Sequence, residues 1–259
     1  MLDKLANALR LRGFLIQKKD DHIYIEKGNP DGELFYLEEM FRVLGISIKL
    51  EDRNIYLLDD HIEERAIHNI IWYKASNHEA GGGSGWSSWK YFIKRNHGPK
   101  INTFVLETGV ALLVKALSAA GIVTICSCDG HGKRSPFIAF CGRHNAIWFS
   151  ILLNEVKDKL KLNYEWYFHN VDIRDVSLVA KRKPEGWDLD LVLEDTVQMA
   201  DYFLAGAASL SKLKREVFGG NYKTTRKTIR EMDYEQLSQW MNNKYQTHLL
   251  NVISEVKVP

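Results

Sequence analysis

Apolar residues recur along this chain in two rhythms, one helical and one alternating, and the rhythms succeed each other in a repeated order. Leu2, Leu5, Leu9 and Leu11 fall near helical spacing, and Gly13 stops the run. Phe14-Leu-Ile-Gln and His22-Ile-Tyr-Ile-Glu alternate around Asp20-Asp21, which reads as a hairpin turn. Asn29-Pro-Asp-Gly32 is a turn. Leu34, Leu37, Met40, Phe41 and Leu44 then mark an amphipathic helix closed by Gly45 as its C′ residue. Ile46-Ser-Ile-Lys-Leu and Asn54-Ile-Tyr-Leu-Leu are strands around Asp52-Arg53, and a helix from about 59 to 73 follows.

The order returns after a break. Ala80-Gly-Gly-Gly-Ser-Gly85 is flexible in composition. It leads into Trp86, Trp89, Tyr91 and Phe92, mixed with Lys90, Lys94 and Arg95. Such a mixture serves either as a single-strand nucleic-acid surface or as an apolar strap on a core. Val105 to Ala120 reads as helix, 121–141 as a hairpin, Arg143 to Leu160 as helix, Tyr164–Phe168 and Val176–Lys181 as strands, and Trp187 to Arg215 as mostly helix. Asp188 and Asp190 suit the start of that helix, where carboxylates meet its dipole. Met232 to Ile253 closes the chain as a helix with Asp233 as N-cap.

The pattern predicts an α+β fold. It has duplicated helix-hairpin-helix-hairpin units with antiparallel sheets and a helical C-terminal extension. The expected boundaries are an N-terminal α+β unit at 1–76, a Gly-rich and aromatic linker at 77–101, a central α+β unit at 102–215, and a basic helical extension at 216–259.

Composition adds limits. With 45% hydrophobic and 26% charged residues the chain reads as an ordinary globular protein, and 11% aromatic content argues against disorder. No apolar run reaches the ~18 residues that span a bilayer, and Met1-Leu-Asp-Lys-Leu does not open a signal peptide. Three cysteines between positions 126 and 141 fit free thiols in a reducing cytoplasm. A net charge of +2 sets up no global field, so any case for nucleic acid rests on local charge.

The candidate chemistry lies in Cys126-Ser-Cys-Asp-Gly-His-Gly132, at the tip of the expected 121–141 hairpin. Asp129 and His131 are the expected metal ligands or proton carriers, for a divalent ion such as Mg, Mn or Zn. They converge only if the turn folds across Gly130. Cys128 beside His131 has the makings of a nucleophile. Lys133, Arg134, Arg143 and Asn145 are the expected phosphate contacts. Cys128-x2-His131 and Cys141-x2-His144 have zinc-knuckle spacing. A regular hairpin, however, sets Cys128 and Cys141 ~13–16 Å apart. A lone acid on an open turn would be decoration, whereas further acids or histidines brought in from residues 165–201 would mark a site.

Between 212 and 230 seven cations, Lys212, Lys214, Arg215, Lys223, Arg226, Lys227 and Arg230, stand against Glu216 alone, an arrangement suited to phosphate. Two lookalikes fail on spacing. Asp188-x-Asp190 lies about a hundred residues from Gly82-Gly-Ser, too far for a nucleotidyltransferase. His131 and Asn145 lack the third histidine of an HNH nuclease.

The doubled α-β-β-α-β-β-α order over most of residues 1–215 resembles the core of LAGLIDADG homing endonucleases. That family carries its catalytic acid at the end of the first helix. Here the two corresponding junctions read Arg12-Gly-Phe and Ala119-Ala-Gly-Ile-Val, without an acid. The expected function is that of a cytoplasmic protein acting on nucleic acid or a nucleotide, a hydrolase of nuclease type cleaving phosphodiesters with a metal. The alternatives are a non-enzymatic module binding nucleic acid or protein, and a zinc-stabilised structural domain.

Overall fold

Helix α1 (Leu2–Arg12) buries Leu5, Ala6, Ala8 and Leu9 and ends where Gly13 turns left-handed at φ 113°. This is the stop that its leucine spacing predicts. The computed structural model describes residues 1–59, 61–74, 88–169, 176–220 and 222–256, and only the backbone at 222, 223 and 252–256. The Ala80–Gly85 run and Trp86 lie outside the described residues.

Strands β1 (Ile16–Lys18) and β2 (Ile23–Ile25) form the first hairpin, and α2 (Glu33–Val43) follows. Strands β3 (Ile48–Glu51) and β4 (Asn54–Leu57) form the second, and α3 (Glu64–Ile71) follows. The strand order is β1-β2-β4-β3, with antiparallel neighbours throughout. Ile23, Ile25 and Ile55 are fully buried, so one face of this sheet closes a core with Leu5, Leu9, Leu37, Met40 and Phe41. α3 starts later than the expected position 59. Asp59 instead accepts the Ser47 backbone N–H at 3.1 Å, which holds it beside the start of β3.

Helix α4 (Trp89–Lys94) is capped by Ser88, whose Oγ accepts the Tyr91 N–H. Trp89, Phe92 and Ile93 are buried, so this stretch is an apolar strap over the second core. Helix α5 (Thr108–Ala119) is buried on every side. A helix that is apolar all round must lie inside a protein, and α5 packs against both α1 and α7. Strands β5 (Thr124–Cys128) and β6 (Phe137–Phe140) form the expected hairpin, with Cys128 opposite Phe137. Helix α6 (Arg143–Asn154) stops short of the expected Leu160. β7 (Trp166–His169) and β8 (Ser177–Ala180) complete a second sheet of order β5-β6-β8-β7.

Helix α7 (Leu189–Phe218) begins at Asp188, whose carboxylate caps the Asp190 and Leu191 amides. α8 (Tyr222–Glu231) and α9 (Tyr234–Val256) make the C-terminal helical stretch. Asp233 and Gln236 exchange side-chain and main-chain bonds at 2.8 and 3.1 Å, a capping box. The fold is thus α+β, with two four-stranded antiparallel sheets. Among the described residues no helix is long and apolar enough to cross a membrane.

One buried polar network ties the first unit to α5. The Lys115 ammonium donates to Asn29 Oδ1 and Thr103 Oγ1 and pairs with Glu33 at 3.4 Å, with both charged side chains shut off from solvent. Glu33 also accepts the Thr103 N–H at 2.8 Å. Burial pulls the Lys115 ammonium down to about 8, against the charge of Glu33. Lys115→Ala strips the buried Glu33 carboxylate of its ion-pair partner, which should cost about 3–5 kcal/mol. A urea titration would show this as a lower midpoint, recovered in the double variant Glu33→Gln, Lys115→Met. An unchanged midpoint in Lys115→Ala would contradict the network.

Candidate metal centre

The hairpin tip folds back on itself because three successive residues adopt left-handed backbone angles: Gly130 at φ 79°, His131 at 52° and Gly132 at 68°. For a histidine that conformation is strained, at about 1–2 kcal/mol. Asp129 holds the turn in place, its Oδ1 accepting the His131 N–H at 3.0 Å. The imidazole swings over the turn, placing Nδ1 3.4 Å from Asp129 Oδ1. Asp129 and His131 therefore converge as the glycine-flanked turn allows.

The third partner comes from another element. Glu107 is the residue before α5, and its Oε2 accepts the Asp129 N–H at 2.7 Å. Its Oε1 lies 3.0 Å from His131 Nε2. The Gly109 N–H, in the first turn of α5, points at Asp129 Oδ2 from 3.4 Å. Cys128 Sγ sits 3.7 Å from His131 Nε2 and accepts from the Gly130 N–H and from Arg134 Nη2. Glu107, Cys128, Asp129 and His131 thus offer ligand atoms that all lie within 4.8 Å of one another, and the group could hold a metal ion.

The cluster is closed behind and open in front. Cys128 and Asp129 are each 5% exposed, whereas the His131 side chain is 41% exposed. Burial pushes the Cys128 thiol up, opposed by the Gly130 amide and by Arg134. Behind Asp129 lies Arg12, fully buried at the end of α1. Its Nε donates to the Tyr73 carbonyl at 2.7 Å, while its Nη1 finds no partner among the described residues. Burial lowers this guanidinium to about 10, and the charges of Glu33 and Asp129 work against that shift.

Other expected site residues lie elsewhere. Lys133 and Arg134 are exposed beside the cluster. Arg143 begins α6, beyond the end of β6 remote from the tip. Asn145 is fully buried. It accepts the Val123 N–H at 3.0 Å and donates to the Cys141 carbonyl at 2.7 Å, which leaves no role for it at a surface phosphate. Cys141 bonds by its backbone to Val123 at the base of the hairpin. The His144 ring stands edge-on to Trp89 and Phe92, its basicity cut to about 3 chiefly by burial and then by Lys214 and Arg143. Cys141 and His144 therefore do not join Cys128 and His131 in a four-ligand site.

In the basic tail, Arg226, Lys227 and Arg230 are exposed on α8, and the Lys223 side chain lies outside the described residues. Lys212 pairs with Glu216 at 3.5 Å. Lys214 is the correction: it is fully buried and donates to the Gly121 carbonyl at 2.6 Å, so it is no surface contact. The further ligand is Glu107, which sequence reasoning missed; a glycine in the first turn of the mostly apolar α5 was its one sequence signal.

That glycine gives a sign test. A Cβ on Gly109 would meet Asp129 Cβ at 2.7 Å. Helix propensity alone favours Gly109→Ala by about 1 kcal/mol. The close approach reverses the sign: the variant should melt lower and bind divalent metal more weakly. A higher melting temperature would contradict this packing. No family model, no curated protein and no solved structure matches this chain.

Proposed function

We propose that this protein acts on nucleic acid or a nucleotide through a zinc-class metal centre held by Glu107, Cys128 and Asp129 with His131 beside it, and that it cleaves phosphodiesters there. The observation that carries the reading is the convergence of four donors from two separate elements, with one side open. One thiol, one imidazole and two carboxylates match zinc better than magnesium or manganese, which favour oxygen ligands alone. Tetrahedral zinc needs ligand separations of ~3.5 Å, and His131 Nε2 lies 3.0 Å from Glu107 Oε1 and 3.7 Å from Cys128 Sγ.

Such an ion supplies Lewis acidity and activates water near neutral pH. Glu107, Cys128 and Asp129 hold the ion. His131, the most exposed of the four, carries the proton, with its Nε2 facing Glu107 Oε1 at 3.0 Å. Exposed Lys133 and Arg134 orient the phosphate. Strain at His131 supports a functional role, because backbone strain concentrates at sites. The strand order shared by both sheets supports a duplicated unit.

A second reading is a structural zinc site. It is favoured by the position of His131 Nε2, close enough to Glu107 and Cys128 to be the fourth ligand. Metal analysis and a phosphodiesterase assay on the wild-type, Asp129→Asn and His131→Gln proteins separate the two. The enzyme reading expects one zinc per chain and loss of zinc and activity in Asp129→Asn. In His131→Gln it expects retained zinc with activity reduced ~10²-fold or more. An inactive wild type that loses zinc in His131→Gln and melts lower with chelator is the structural case. A wild type that binds no zinc rejects both.

A further inference from the structure

A pocket of about 370 Å³ opens between the base of the β1–β2 hairpin and the end of α5. Leu15 and Lys27, which flank the hairpin, line it on one side, segment 97–101 on another, and Ser118 and Ala119 from the end of the helix. Its walls are pinned. The Gly98 N–H donates to the Ser118 carbonyl at 2.6 Å, and Ser118 Oγ donates to the Pro99 carbonyl at 2.6 Å. A Cβ on Gly98 would meet Ser118 Oγ at 2.7 Å, so a glycine is what lets this segment lie so close to α5. Across the pocket, Asn29 accepts the Leu15 N–H at 3.1 Å and donates to the Leu15 carbonyl at 2.6 Å. Small-molecule sites are preformed, mostly apolar clefts of ~300–1,000 Å³ with a few placed polar groups.

The lining divides into an apolar body and a basic edge. Leu15, Pro99, Ile101 and Ala119 supply the apolar surface, while Lys27, His97 and Lys100 are exposed at the edge. Neither of these lysines has a hydrogen-bond or ion-pair partner among the described residues. His97 Nδ1 donates to the Gly98 carbonyl at 2.8 Å, which leaves Nε2 uncommitted. Lys115 also lines the pocket, but its ammonium is engaged by Asn29, Thr103 and Glu33 and is not available to a ligand. Among the described residues no carboxylate lines the pocket. Glu33, behind it, is shut off from solvent and paired with Lys115, so it does not oppose an anion.

We propose that this pocket binds a small organic anion, with a compact apolar body inside the cleft and one carboxylate or phosphate group held at the edge by Lys27 and Lys100. Removing the apolar body from water against Leu15, Ile101 and Ala119 drives the association. The two ammonium groups orient the ligand through charge-assisted hydrogen bonds. The site is separate from the metal cluster, which sits at the other end of α5. Gly109 faces Asp129 there, and Ser118 lies nine residues further along the same helix, ~14 Å at 1.5 Å per residue. The proposal therefore holds even if the protein hydrolyses nothing.

The test is calorimetric titration of the full chain with octanoate and octyl phosphate, and with octanol and acetate, which lack the charge and the apolar body respectively. Chelator is present throughout, so that the metal cluster contributes nothing. At least one of the two long anions should bind at one per chain, less tightly as salt is added, and octanol and acetate should bind about tenfold more weakly or worse. The double variant Lys27→Gln, Lys100→Gln should weaken anion binding about tenfold or more, as expected for loss of charge-assisted hydrogen bonds. Both lysines are exposed, so this variant should keep the wild-type melting temperature. Ala119→Phe, which fills the pocket from α5, should abolish binding, and the lysine variant decides the case should Ala119→Phe fail to fold. Binding of octanoate alone assigns the head group to a carboxylic acid, binding of octyl phosphate alone assigns it to a phosphate ester, and binding of both assigns it to the shared negative charge. Binding of neither anion, octanol or acetate matching the long anions, or affinity unchanged in the lysine variant or in a folded Ala119→Phe overturns the proposal.

Discussion

The cluster that could hold a metal ion depends on one hydrogen bond, from the Asp129 main-chain N–H to Glu107 Oε2. It fixes the tip of the β5–β6 hairpin to the residue that opens α5. Once that bond forms, the remaining geometry is constrained. The other oxygen of Glu107 faces His131, and the Gly109 amide faces Asp129. The glycine is needed because the hairpin rides against the helix backbone with no space for a methyl group. The same contact turns a polar loop, whose groups would otherwise point to water, into a cluster of converging donors.

The clamp is rigid because α5 is held on every side. α1 approaches it so closely that a Cβ on Gly13 would fall 2.6 Å from Ala111 Cβ. α7 packs along its length. Lys115 anchors it to the turn at Asn29 and to Glu33. Side chains held by a packed helix lose little entropy when a ligand binds, and this preorganisation is what a catalytic or metal site requires. Arg12 belongs to the same arrangement. The end of α1 brings a buried guanidinium behind Asp129, whose charge acts against the burial of Arg12.

What the sequence revealed was what local chemistry determines. The hairpin at 121–141, the stops at Gly13 and Gly45, and the caps at Asp188 and Asp233 are decided by neighbours a few residues away. Asp129 and His131 were legible as a pair for the same reason. Glu107 was not, because its place in the cluster follows from packing a helix start against a hairpin more than twenty residues later. Charge counting also misplaced residues. Lys214 and Asn145 have polar side chains, yet both are spent inside the protein on backbone partners. Composition records that a residue is charged, while burial depends on the helix face it occupies.

Zinc X-ray absorption on the metal-loaded chain tests the central claim most directly. The account predicts one sulfur neighbour at ~2.3 Å and three nitrogen or oxygen neighbours at ~2.0–2.1 Å, with the sulfur lost in Cys128→Ser. A shell of oxygens without sulfur, or a sulfur signal that persists in Cys128→Ser, would contradict it.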